Sequence, residues 1–283
     1  MAVETGKNAQ ERLISSVNIH PTAIVHDGAE LGEGVEIGPF CEVGPKVVLG
    51  DNVRLHGRSS VHGETVLGEQ CEVFPNAVIG CRGQSIGSKD EPGTGVVVGP
   101  RTVFREFVSV HAGLPHGSKI TRIGADCYFM TYSHAGHDCQ IGDKCVFANA
   151  AEIGGHCHLG DQVWVGGVVA VHQFTESGEH AFVAGGAIVV SDIIPFAVVE
   201  GNRAHLAGLN VKGLSRRGFS RDDIRTIRRA YKALFEPDAD DTPFADRIDP
   251  VAQQFAGNPH VEKMIAFLKK DRSRPLCVAE KRH

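Results

Sequence analysis

Large aliphatic side chains recur at every sixth residue along much of this chain. Stepping by six from Ile19 reaches Val25, Leu31, Ile37, Val43, Leu49, Leu55, Val61, Leu67, Val73 and Ile79, all aliphatic. Four places after each comes a small or β-branched residue, as in Ala23, Ala29, Val35, Cys41, Cys71 and Ala77, and Gly often follows the aliphatic position directly. A period of six excludes an α-helix, whose apolar positions repeat about every 3.6 residues. It fits a parallel β-helix, in which one hexad is a short strand plus a turn and successive coils stack. The register breaks after Ile79, returns displaced by one at Val98, Phe104 and Val110, and breaks again. It resumes at Ile123 and runs through Phe129, Ala135, Ile141, Phe147, Ile153, Leu159, Val165 and Val171 before fading towards Pro195. Segments near 80–97 and 111–122 are therefore predicted to leave the coil as loops.

After Gly201 the repeat disappears and helical signals begin. Ser220 and Asp223 have the spacing of a capping box, and Ile224, Ile227, Tyr231 and Leu234 follow at helical intervals. Further helical stretches are predicted after Pro243 and, over Val261 to Leu268, after Pro259. The reading is mainly β: an N-terminal extension over 1–17, a left-handed parallel β-helix of hexapeptide repeats over 18–201, and a smaller C-terminal α-helical domain over 202–283.

Composition supports that picture. Of 283 residues 42% are hydrophobic, only 6% are aromatic, and 34 are Gly. Neighbouring coils of a β-helix sit about 4.8 Å apart, so equivalent side chains form ladders and each rung has room for little volume. Six of the eight cysteines (Cys41, Cys71, Cys127, Cys139, Cys145, Cys157) fall at the small inward position, where they read as core thiols. No C-x-x-C pair suggests a zinc ribbon or a redox site. The net charge is only −5, no apolar run is long enough to span a bilayer, and the polar start lacks a secretory core. Thiols and the absence of a leader point to the cytoplasm.

Histidine supplies the candidate chemistry. Among 15 His, the residues His134, His137, His156, His158 and His172 share one stretch of the repeat. If three hexads make a coil, residues 18 apart stack, which places Gly155 over His137, Gln173 over Gly155 and His156 over Asp138. His137 then qualifies as a general base oriented by Asp138, with the Gly155 N–H facing a developing oxyanion. Two other readings of the same residues stand beside it: a polar outer face of an inert scaffold, and a histidine-bound zinc serving a carbonic-anhydrase-like hydration.

Three runs carry a resemblance to a known family: MTYSHAGHDCQIG (Met130 to Gly142), AVHQF (Ala170 to Phe174) and GLSRRGFSRDDIRTIRRAYKALF (Gly213 to Phe235). The chain resembles the acyl-carrier-protein-dependent UDP-N-acetylglucosamine O-acyltransferases, and the likeness covers about residues 18 to 235, both loop breaks included. It implies transfer of a (3-hydroxy)acyl chain from acyl carrier protein to the 3-position of the sugar nucleotide, the first step of lipid A synthesis, with His137 as base and neither cofactor nor metal. It implies substrate contacts at His134, His156, His172 and Gln173, a first-loop contact near Gln84, nucleotide contacts at Asn210, Arg216 and Arg217, an oxyanion amide at Gly155, and an acyl-length position at Gly185. It also implies a homotrimer with active sites between subunits. The first loop reads Gln84 to Pro92 with one residue more than the family's usual motif, and Lys212 stands where some members carry Glu. Acceptors with a 3-hydroxyl or a 3-amino group, and other nucleotide sugars, both stay open.

Between Lys212 and Lys232 lie eight basic residues against two acids. Arg221, Arg225, Arg228 and Arg229 read as a docking field for acyl carrier protein, itself acidic. Nucleic acid is disfavoured as a partner because no aromatic stacking platform accompanies the charge.

Overall fold

The computed structural model describes residues 17–89, 91–235 and 242–279. The expected N-terminal extension lies, save Val17, outside the described residues. From Asn18 to Glu200 the described residues wind into a left-handed β-helix of three parallel sheets. The first face begins with Asn18–Ile19, the second with Ile24–Val25 and the third with Glu30–Leu31. Coils stack with the 18-residue period: Ile19 lies on Ile37, and His134 on Glu152.

The hexad pattern dictates this geometry residue by residue. The aliphatic position points inward and is buried in every coil from Ile37 to Val189, apart from the polar Ser177 rung, which is also buried. The preceding residue points out. Corners turn through one residue in the left-handed region, among them Asn52, Gln70, Tyr132, Asp138 and His156. Such a conformation is uncommon for residues other than Gly, and the repeating ladder of backbone hydrogen bonds holds it in place. The six small-position cysteines are all buried free thiols, as expected. Phe104, Phe129 and Phe147 share one inward ladder, with ring centroids 5.0 and 4.3 Å apart.

The loops are shorter than the sequence pattern predicts. Val78–Cys81 on the second face leads into an excursion over 82–94, and the chain re-enters as Gly95–Val98 on the third. Ser109–His111 likewise leads into an excursion over 112–119 and returns as Ile120–Ile123. The residues flanking each excursion stay paired to the coil below, because Gly95–Val98 keeps four partners on Glu64–Leu67. Both loops replace the same corner, between the second and third faces.

The helical part also begins later than the loss of hexads suggests. Ala197–Glu200 ends the first face and folds back antiparallel on His205–Leu209, so 202–210 extends the sheet before any helix. This hairpin carries no six-residue signature because it caps the stack rather than adding a coil. Helices α1 (Val211–Arg216), α2 (Arg221–Phe235), α3 (Phe244–Gln254) and α4 (Pro259–Lys269) follow. The α2 capping box is formed as predicted: the Asp223 N–H donates to Ser220 Oγ at 3.0 Å, and the Ser220 hydroxyl donates to the Asp223 carboxylate at 2.6 Å. Helix α4 docks on the third face through Lys263 on Glu179 and Lys270 on Glu176. The tail beyond it returns to the β-helix, bridging Asp192 with Leu276 and Leu206 with Ala279.

Candidate active site

The corner Gly136–His137–Asp138–Cys139 joins His134–Ala135 on the second face to Gln140–Ile141 on the third. It is the first intact corner of its column after two loops have replaced those below, so the loops are free to wrap it. The second loop does so: its Leu114 N–H (3.1 Å), Ser118 hydroxyl (3.0 Å) and Lys119 N–H (3.1 Å) all donate to the Asp138 carboxylate. Gly117 makes the wrap possible, since a Cβ there would stand 2.4 Å from Asp138 Oδ1. The Asp138 side chain is completely buried. Burial pushes its carboxyl up, but the hydrogen bonds from His137, Leu114 and Ser118 more than offset this, and the net shift is downward. It is held as a carboxylate.

His137 Nδ1 lies 2.9 Å from Asp138 Oδ2. An ionised carboxylate only accepts, so Nδ1 carries the proton and the lone pair is on Nε2. The ring stands against Gly155, one coil above, where a Cβ would come 2.6 Å from Nε2. The Gly155 N–H donates to no protein group among the described residues, while the next amide, His156, is spent on the His137 carbonyl at 2.8 Å. A base atom and a backbone N–H without a protein partner among the described residues thus lie on adjacent coils of one column. His137 is only 13% exposed, more covered than a side chain simply projecting from the prism would be, but what covers it is the cleft wall and not the core.

Histidines frame this pair. His156 stands 3.7 Å from Asp138 Oδ2, edge-on to His137 at 4.9 Å, and stacks on Phe174 with centroids 4.5 Å apart. Burial lowers its pKa against the pull of Asp138. His134 Nδ1 is hydrogen-bonded to Ser109 Oγ at 2.8 Å; burial first, then His111 and His137, push it down to about 4, so it is neutral. His111, 5.2 Å from His134, is buried with its Nδ1 unpartnered. Ser109, His111, Ser118 and Phe174 escaped the sequence reading. The first three sit across the loop breaks, where stacking no longer follows a step of 18.

The remaining predicted residues divide. Gln173 lies in the His137–Gly155 column, and Gln84 lies exposed in the first loop. His172 stands next to Gln173 but its ring meets Arg274 of the tail, not the His137 group. Asn210 has both amide atoms engaged: Oδ1 caps α1 by accepting from the Gly213 N–H, and Nδ2 donates to the His180 carbonyl. Its side chain builds the platform from which the two arginines project. Arg216 is exposed; Arg217 is half-buried against His180 Nδ1 at 3.3 Å, and burial lowers its pKa. Gly185 is open, its nearest neighbour to a Cβ being the Gly167 carbonyl at 3.3 Å. On α2, Arg221 and Arg228 are exposed without an ion-pair partner among the described residues, Arg225 pairs with Asp222, and Arg229 lies over Phe255 at 5.5 Å.

His137, Asp138 and His156 present ligand atoms within 4.8 Å of one another, a spacing a metal ion could bridge. The carboxylate argues against that use. Each Asp138 oxygen already accepts two hydrogen bonds, which fills the roughly four lone-pair sites of a carboxylate. The set does not fit a zinc hydratase.

Comparison with known proteins agrees with the geometry. A family model described as UDP N-acetylglucosamine O-acyltransferase, domain 2, matches residues 192–277. The acyl-[acyl-carrier-protein]–UDP-N-acetylglucosamine O-acyltransferase of Anaeromyxobacter sp. (strain Fw109-5) is 47% identical over 89% of this chain and 96% of its own. The protein of the same name from Myxococcus xanthus is 46% identical over 90% of this chain and 97% of its own. Among solved structures, the UDP-N-acetylglucosamine acyltransferase from Campylobacter jejuni superposes with a TM-score of 0.86 at 34% identity, covering 93% of this chain and all of that one.

Proposed function

Because this chain belongs to the acyl-[acyl-carrier-protein]–UDP-N-acetylglucosamine O-acyltransferases, we propose that His137 is the general base of that reaction, acting on the 3-hydroxyl of the sugar. The chain is an acyltransferase that moves an acyl group from acyl carrier protein to UDP-N-acetylglucosamine, the first step of lipid A synthesis.

His137 Nε2 takes the hydroxyl proton while Asp138 holds Nδ1–H and stabilises the imidazolium that forms. The sugar oxygen attacks the thioester carbon. The carbonyl oxygen becomes an oxyanion and turns to the unpaired Gly155 N–H. The C–S bond then breaks, and the departing thiolate recovers the proton from His137. Neutral His134 and His156 serve as donors along the wall, and Gln173 continues the same column. The observation that carries this reading is the buried Asp138 carboxylate, which fixes the His137 tautomer with its basic nitrogen beside a free amide.

Arg216 and Arg217 grip the diphosphate, for which a guanidinium gives bidentate, charge-assisted bonds. The exposed arginines of α2 guide the carrier protein. We place the active sites between subunits of a homotrimer: Phe107, Tyr132, Ala150 and Val168 follow one another along the corner between the first and second faces, Phe107, Tyr132 and Val168 being exposed, an apolar surface that asks for a partner. No helix among the described residues is long and apolar enough to cross a membrane, and we assign the reaction to the cytoplasm, where both substrates are made.

The test is a screen of acyl carrier protein thioesters of graded chain length against UDP-N-acetylglucosamine and its 3-amino analogue, with mass detection. Acylation of the hydroxyl sugar that vanishes in His137→Ala supports the assignment. Product from the amino analogue alone would move it to an N-transferase.

A further inference from the structure

Gly136 and Gly154 stack at the start of the catalytic corner, and the next residue in that ladder, His172, is the first to carry a side chain. Along this ladder no side chain projects from the corner above Gly136 until the His172 ring, the Cβ positions of Gly136 and Gly154 being taken up by backbone of the next coil at 2.7 Å. There the C-terminal tail supplies Arg274, whose Nη2 donates to His172 Nδ1 at 2.8 Å. Ser273 beside it reaches the Phe174 carbonyl at 3.4 Å, and the backbone of Pro275 and Cys277 is pinned to Asp192 by bonds of 2.7 and 2.8 Å. The guanidinium is thus held, half-buried, at a fixed place. It has no carboxylate partner among the described residues.

A guanidinium can only donate, so the 2.8 Å contact makes His172 Nδ1 an acceptor and puts the ring proton on Nε2. The Gln173 carbonyl, 3.2 Å from the same nitrogen, would need the opposite tautomer, and the shorter, charge-assisted contact decides between them. What results is a cation with spare N–H groups next to a neutral donor. That pairing suits a phosphoryl anion rather than a carboxylate or a sugar ring.

Its position along the axis narrows the ligand. His172 lies two coils above Gly136, about 10 Å at the spacing of stacked strands. His205–Leu209 closes the first sheet at that end of the prism, and α1 and α2 follow it in the chain. An acyl group delivered to His137 by a carrier protein docked on α2 must arrive on the carrier's flexible arm. That arm is joined to the carrier through a phosphodiester.

We propose that Arg274, with His172, binds the phosphoryl group of the carrier protein's 4′-phosphopantetheine arm. The inference rests on the acyl-transfer reading, and it can fail while that reading stands. Binding of 4′-phosphopantetheine and of pantetheine to the full chain, by calorimetry, tests it without turnover. The expected result is that the phosphorylated compound binds wild type roughly tenfold or more tightly, as one charge-assisted contact warrants. Arg274→Gln, which keeps a donor for His172 but loses the charge, should erase the difference, and Arg274→Lys should keep part of it. In turnover at saturating sugar nucleotide, Arg274→Gln should raise KM for acyl carrier protein and S-acyl-4′-phosphopantetheine while sparing S-acylpantetheine and the KM for UDP-N-acetylglucosamine. Equal binding of the two compounds to wild type overturns the proposal whatever the turnover. So does an equal loss with all three donors, which would make Arg274 a latch for the tail. A rise confined to the nucleotide's KM would assign the anion to the diphosphate instead.

Discussion

Gly155 has no side chain because His137 occupies the space where one would begin: a Cβ there would stand 2.5 Å from His137 Cε1. Gly155→Ala must therefore push the imidazole off its place between Asp138 and the free amide. Displacement of a catalytic group by about 1 Å can cost on the order of 100-fold in rate. We expect kcat to fall by about that factor with KM for both substrates little changed, measured by steady-state kinetics. A wild-type kcat would separate Gly155 from the chemistry.

His137→Ala should retain the fold and lose most of the rate. The side chain is covered by the cleft, so its removal opens no void between stacked coils. A positioned general base contributes about 100-fold to 10,000-fold. Unchanged thermal melting alongside collapsed turnover is the expected pair of results, and near-wild-type turnover would show that another group is the base.

Stability should decline as pH falls from about 7 towards 4.5. Burial pushes His134 and His180 each down to about 4 from an ordinary 6.5. Between those values the unfolded chain binds protons that the folded chain refuses, so their contribution is intact above 6.5 and is lost as pH drops through the window. The loss should be of order 1–2 kcal/mol for each residue. Melting temperature against pH, for wild type and for His180→Gln, reads it directly. The variant should show the shallower slope, and parallel curves would refute the assignment.

The arginines should separate by salt. Arg225 already pairs with Asp222 and Arg229 packs on Phe255, which leaves Arg221 and Arg228 as the arginines of α2 without such a partner among the described residues. Arg221→Ala combined with Arg228→Ala should raise KM for acyl carrier protein severalfold at low salt, and the effect should fade as screening shortens towards about 8 Å at physiological ionic strength. Arg216→Ala should raise KM for the sugar nucleotide with a weaker dependence on salt. An unchanged carrier KM in the double variant at low salt would return the stripe to a solvated face.

Phe107 and Tyr132 stack at 4.8 Å on the outer corner, 46% and 57% exposed. Replacing both by Ser should turn a trimer into monomers that keep their β-sheet circular dichroism and lose turnover. Multi-angle light scattering decides the first half. A wild-type monomer that turns over normally would dismiss the shared-site arrangement.

Most of the β-helix was legible because its period is written in the sequence as one aliphatic residue in six. The stacking of Gly155 on His137 was legible for the same reason, since an uninterrupted step of 18 puts one over the other. Where that step is broken, prediction stopped. Ser109 meets His134, and Ser118 meets Asp138, across separations set by loop length, which no hexad count supplies. The final hairpin over Ala197–Leu209 was hidden because antiparallel pairing needs no inward aliphatic ladder, and the capping duty of Asn210 because an amide suits a helix start as well as a ligand.

Both excursions leave the prism at one corner and rejoin it in phase, and this makes chain length a local matter there and nowhere else. Removing one residue from a hexad between Ile123 and Val165 would turn every later inward side chain to the outside, as a one-residue slip does in any strand. Residues 82–94 can lengthen or shorten without disturbing a single rung above them, whereas 112–119 is held to length by its hydrogen bonds to Asp138. Length can therefore vary most freely in the first excursion, whose Gly83 borders His137, while the coils that aim His137 admit substitution but not insertion.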